Sequence, residues 1–257
     1  MNDRYYWEDD SPLSNLIRSV SRPPNDMLYK DWLSLFGSVW RQGEHVVLIG
    51  PTGSGKTHVS ADILDFRSYV TALSIKPHDD TLNRFLRREP AYHKVKKWPP
   101  NVAINRAVFI CKPTKLGDKA QSGRVRDVLD GIHKSEGWTA LLDDIAYIVN
   151  RLGLRTDVVD LLNVGRSSGI TIVGALQQPS SVSANVPSEM KKQTKHILLW
   201  KFSSTPDMQA CADLCGINRG DMRTLMTSLQ FHDGATDRYT DFIWWRRGYD
   251  PVIVRVT

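Results

Sequence analysis

One octapeptide constrains this chain more than any other stretch. Residues Gly50–Thr57 read GPTGSGKT and follow at once on the apolar, β-branched run HVVLI at 45–49. A short continuous apolar run is the pattern of a strand buried on both faces of a parallel sheet. The residues that follow, KTHVSADILDF, read as a helix. Strand, glycine loop and helix in that order make a phosphate-binding unit. Gly50, Gly53 and Gly55 let the backbone turn tightly and approach an anion with no Cβ in the way. Successive amides then form an anion-binding nest, and the helix adds its N-terminal dipole. Lys56 is placed to reach the β- and γ-phosphates of ATP, and Thr57 to offer its hydroxyl to Mg²⁺. The expected nucleotide grip is the whole loop: Gly50, Pro51, Thr52, Gly53, Ser54, Gly55, Lys56 and Thr57.

The rest of the chain alternates strands with helices. Strands are expected at 69–76, 106–113, 138–144, 170–178 and 196–202. Helices are expected at 27–40, 119–135, 155–169 and 205–216, the last opening on a Thr205 cap followed by Pro206 and closing on Gly216. LQFHDG and RYTDFIWWRR read as a C-terminal antiparallel pair across a turn around Gly234. Such alternation argues for an α/β fold with a mostly parallel sheet, its ligand at the carboxyl ends of the strands. A length of 257 residues is enough to cover that sheet with helices on both faces. Residues 1–25 are charged and rich in Ser and Pro, and read as an arm.

A second feature sits where such a sheet needs it. Asp143 and Asp144 end the apolar run TALL. A carboxylate at a strand tip beside the phosphate loop can hold Mg²⁺, and a neighbouring one can orient or deprotonate an attacking water. Asp143 is assigned to the metal and Asp144 to the water. Asp130 and Asp160 lie inside apparent helices and compete weakly.

Composition adds bounds. The three cysteines, Cys111, Cys211 and Cys215, are too few and too odd in number for a disulfide framework, which fits reduced thiols and a cytoplasmic setting. No run of about 18 apolar residues exists, so no membrane span is expected. The net charge of +6 permits a polyanionic partner without demanding one.

GPTGSGKT, LLDD and the stretch NVGRSSGITIVGALQQPSSV together resemble the FtsK–HerA group of P-loop motor ATPases. The resemblance spans about 43–202 and is strongest to compact viral genome-packaging ATPases. It implies a RecA-like fold, with an extra strand between the loop strand and the carboxylate strand. The division that follows is an arm and short helix at 1–40 and an ATPase domain at 41–257, with a basic insertion at 84–100. By this resemblance Gln177 is the sensor of the γ-phosphate or water, with Gln178 as the alternative register. Arg166 is the arginine finger that reaches a neighbouring subunit's nucleotide; Arg151, Arg155, Arg219 and Arg223 compete for that role. The group forms rings, often hexamers, that move double-stranded DNA without reading its sequence. A packaging role would add a capsid or portal-vertex partner and place the chain in host cytoplasm or on the virion. One departure stands out: most of the group carries Glu as the second carboxylate, where this chain has Asp144.

Residues 84–98 mix Lys and Arg with Phe, Tyr and Trp, and suit either a phosphate-lined channel or a solvated face. Lys191, Lys192 and Lys195 form a second cluster, expected near the ligand end of the sheet. Trp244 and Trp245 are expected to pack or to meet another subunit. Rival readings are conjugative DNA transfer, a morphogenesis or secretion ATPase that moves protein, a small-molecule kinase and a non-catalytic nucleotide switch.

Overall fold

In the computed structural model, the described residues are 26–75, 92–95, 98, 105–110, 118–179, 188–230 and 240–256. The arm at 1–25, most of the basic insertion, Cys111 and residues 231–239 lie outside them.

The apolar runs form the middle of one ten-stranded sheet. In chain order the strands are β1 (Asp26–Leu28), β2 (His45–Ile49), β3 (Val70–Ser74), β4 (His93–Val95), β5 (Arg106–Ile110), β6 (Thr139–Leu142), β7 (Thr171–Leu176), β8 (Thr194–Trp200), β9 (Phe242–Arg246) and β10 (Val252–Arg255). Their order across the sheet is β1-β10-β9-β8-β2-β7-β6-β3-β5-β4. From β8 to β4 all neighbours are parallel. β9 runs antiparallel to both β8 and β10. β7 lies between the loop strand β2 and the carboxylate strand β6, the insertion the resemblance implies.

Helices cover both faces. They are α1 (Tyr29–Val39), α2 (Lys56–Leu64), α3 (Asp118–Ser135), α4 (Arg155–Ser168), α5 (Ser188–Gln193), α6 (Thr205–Cys215) and α7 (Arg219–Ser228), with a π-helical turn at Tyr147–Arg151. The period of two in β2 divides the core: Val46 and Leu48 join α1 and α2, whereas Val47 and Ile49 join α3, α4, α6 and α7. On the first face Trp32, Phe36 and Trp40 of the expected helix pack tilted or edge-on against Phe242, Trp244 and one another. Trp244 and Trp245 are both buried inside the chain. Cys211 and Cys215 are free, buried thiols, and burial pushes Cys215 up to about 12.

Three expectations need correction. The C-terminal hairpin turns at Gly248, at φ +88°, and joins β9 to β10. The sequence around Gly234 lies outside the described residues, and Leu229 follows α7 instead of entering a strand. FIWWR is the segment that pairs with β8, and its first four residues are buried there. The helix at 205–215 takes its N-cap from Ser204, whose hydroxyl accepts from the Asp207 amide, and not from Thr205. The lysine cluster lies at the start of β8, the end of the sheet opposite the glycine loop, because Thr194 already begins that strand. The sequence reading also passed over β1, β4, β10, the π-helical turn, α5 and α7.

Candidate active site

The site is built at the carboxyl ends of three adjacent strands. β2 ends at Ile49 and hands the chain to the loop, whose first amide, Gly50 N–H, donates to Leu176 O of β7 at 3.1 Å. That bond fixes where the loop leaves the sheet. Gly53 and Gly55 adopt φ of +81° and +96°, left-handed values that cost a side-chain-bearing residue about 1–2 kcal/mol. Gly55 then serves as the N-cap of α2, and Lys56 is its first residue. No space exists for a side chain at Gly50: a Cβ there would stand 2.7 Å from both Ser54 Oγ and Trp200 Cβ.

Lys56 is buried, and its Nζ donates to Gly50 O at 2.6 Å and to Pro51 O at 2.7 Å. The ammonium is therefore folded over its own loop, where an incoming phosphate would exchange for those carbonyls. Ser54 Oγ is buried with no hydrogen-bond partner among the described residues. A buried hydroxyl left so is costly unless a ligand completes it.

β7, next in the sheet, ends at Leu176, so Gln177 stands at its tip beside the loop. Thr52 Oγ1 reaches Gln177 Oε1 at 3.4 Å. One strand further, β6 ends at Leu142 and is followed by Asp143 and Asp144. Asp144 Oδ1 accepts the Tyr147 amide at 3.0 Å, so this carboxylate also caps the turn that leads the chain away. Thr57, on α2, and Asp143 offer a hydroxyl and a carboxylate. These hard oxygen donors, beside a loop shaped for an anion, are a set that fits Mg²⁺. An open cleft of about 510 Å³ runs from Pro51 and Thr52 past Gln177 and Gln178 to Lys201, Ser204 and Asp207. The last three were missed in the sequence. Their position just beyond a parallel strand, where ligands collect, could have marked them.

Arg166 lies elsewhere. It sits in the last turn of α4, and a Cβ on Gly43, just before β2, would stand 3.1 Å from its Cα. β2 separates that point from the loop by its five residues, about 16 Å at roughly 3.3 Å each. Arg166 therefore does not face the loop of its own chain. It belongs to a cationic group with Lys195, Arg246 and Arg247. Burial holds the Lys195 ammonium below its usual value; the three guanidiniums add repulsion, against the pull of Glu44. Arg247 also donates to Thr194 O at 3.2 Å and to Lys191 O.

The fold that carries these residues has been seen before. The structure matches the genome packaging NTPase B204 from Sulfolobus turreted icosahedral virus 2, solved with ATP-gammaS, at a TM-score of 0.57 and 11% identity, over 83% of this chain and 98% of that one. It matches VirB4 of Thermoanaerobacter pseudethanolicus at 0.61 and 9%, over 83% and 89%. The DNA-packaging ATPase B204 from Sulfolobus turreted icosahedral virus matches at 0.57 and 13%, over 83% and 98%. The chain shares the fold of the B204 packaging NTPases and of VirB4. No protein-family model matches the sequence, and no curated protein matches it. At these identities the likeness is one of fold, so the roles of individual residues rest on the geometry above. Among the described residues no helix is long and apolar enough to cross a membrane.

Proposed function

We propose that this chain hydrolyses ATP and couples hydrolysis to moving double-stranded DNA through an oligomeric ring, in packaging a viral or mobile-element genome. The observation that carries the reading is the convergence at three neighbouring strand tips. The glycine loop with Lys56, then Gln177, then Asp143 and Asp144 stand at the ends of β2, β7 and β6. Main-chain amides and Lys56 grip the triphosphate. Asp144 orients the attacking water; with Oδ1 on the Tyr147 amide, that task falls to Oδ2. Gln177 senses the γ-phosphate or the water. Mg²⁺, held by Thr57 and Asp143, would neutralise charge on the β- and γ-phosphates.

A water nucleophile suits paired carboxylates and a terminal Gln better than a kinase acceptor does. Arg166 lies too far from its own loop to act there, which supports a role on a neighbouring subunit's nucleotide. A finger in trans contributes on the order of 10³–10⁵ in rate, so the isolated subunit is expected to be slow. Packaging is the reading adopted because the match takes in 98% of B204, a genome packaging NTPase, against 89% of VirB4. Conjugative DNA transfer or a protein-moving ATPase is the second reading, because VirB4 shares the fold at a TM-score of 0.61.

The test is phosphate release by the assembled protein with and without long duplex DNA, with Lys56→Ala as control. Stimulation by DNA that fades with salt is expected. An equal rate with and without DNA would remove DNA as the substrate and favour the protein-moving reading.

A further inference from the structure

The loop is held from outside as well as from within. Residue Thr240, just before β9, donates its hydroxyl to Ser54 O at 3.0 Å. Both residues are buried, and 186 positions separate them in sequence. Ser54 O and Gly55 N–H belong to one peptide unit, and a trans peptide points these two groups in opposite directions. A donor fixed on the carbonyl therefore aims the Gly55 N–H away from β9. Gly55, with its left-handed φ, has the freedom to flip otherwise. A hydrogen bond to the carbonyl also polarises the peptide and makes its N–H a stronger donor.

The residue supplying this bond is itself immobilised. Asp241, the next residue, is buried. Its Oδ2 accepts from Arg255 at 2.7 Å and from Gln230 N–H at 3.1 Å, and its Oδ1 accepts from Val256 N–H at 3.0 Å. Arg255 in turn pairs with Asp26 of β1. Three segments thus anchor the corner from which Thr240 reaches the loop.

We propose that Thr240 is a positioning residue for triphosphate binding: its hydroxyl presets the Ser54–Gly55 peptide so that the Gly55 N–H is ready for phosphate. This rests on the reading of the loop as a nucleotide grip. Thr240 acts before and throughout turnover alike, so its loss weakens binding without slowing the chemical step.

The experiment measures affinity for ADP and for ATP-gammaS by calorimetry, alongside steady-state kinetics, in Thr240→Val and Thr240→Ser. Valine keeps the shape and removes the donor; serine keeps the donor and removes the methyl. Thr240→Val should weaken both nucleotides by about three- to tenfold, the span of one net hydrogen bond. KM should rise by the same factor while kcat holds. Thr240→Ser should recover most of the loss. A merely structural role would lower the melting temperature of both variants and leave the affinity of the folded protein unchanged, and that result overturns the proposal. If wild type binds nucleotide no better than Lys56→Ala, the nucleotide reading itself fails and the proposal falls with it. If wild type binds well and Thr240→Val matches it, only the proposal falls.

Discussion

Replacing Gly50 by alanine tests the fold and the site at once. The added methyl would stand 2.7 Å from Ser54 Oγ and 2.7 Å from Trp200 Cβ. The two contacts differ in kind. The serine hydroxyl can rotate away, but Trp200 Cβ is attached to the backbone of β8, and Trp200 is only 1% exposed. The loop must therefore move off the sheet, against the Gly50 N–H bond to Leu176 O at 3.1 Å. Overpacking of this sort costs about 1–3 kcal/mol. At about 2–4 °C per kcal/mol for a chain of this size, the melting temperature should fall by roughly 2–12 °C. The same movement shifts the carbonyl that receives Lys56 Nζ and misplaces the amides behind it. Nucleotide protection should therefore shrink too. A ligand at a hundred times its Kd raises stability by about 2.7 kcal/mol, and each tenfold loss of affinity removes about 1.4 of that. The assay is thermal melting of wild type and Gly50→Ala, each with and without ATP-gammaS. A variant that melts with wild type and gains equally from nucleotide would show that Trp200 does not abut the loop, and would refute the reasoning.

Further outcomes are expected. Arg166→Ala should still bind nucleotide but lose hydrolysis in the assembled protein, by on the order of 10³ if it acts in trans. Mixing it with Lys56→Ala subunits should restore turnover, since each supplies what the other lacks; an inert mixture assigns the finger to another arginine. Stability should fall on acidification because of two buried imidazoles. His45 Nδ1 accepts from the Ile172 amide at 3.0 Å and His196 Nδ1 from Trp244 Nε1 at 3.3 Å, so both rings are held neutral. Burial keeps both below their usual value, against the opposing pull of the Leu162 carbonyl on His45 and of Glu44 on His196. The unfolded chain then takes up more protons than the folded one below about pH 6.5. Denaturation midpoints should hold above that pH and drop as pH falls towards the folded values, with a shallower drop in His45→Gln; a flat profile would contradict the burial.

Much of this was legible from local sequence. GPTGSGKT after HVVLI specifies a strand, a left-handed turn and a helix start, because those choices depend on glycine freedom and apolar runs within a dozen residues. TALLDD and ITIVGALQQ likewise announce strands with polar tips. Helix α7 was legible but overlooked: Asn218 caps the Asp221 amide at 2.9 Å, and Met222 and Met226 share a face one turn apart. The short edge strands β1 and β4 carry too few residues for any periodicity to show.

What the sequence alone determined, then, is the elements whose cause is local, and with them the glycine loop between β2 and α2. Tertiary structure decided the rest. It put Arg166 and Lys195 at the far end of the sheet and brought Thr240 against Ser54. Strand order and side-chain meetings across long separations depend on which faces bury one another, and no short-range pattern records that choice.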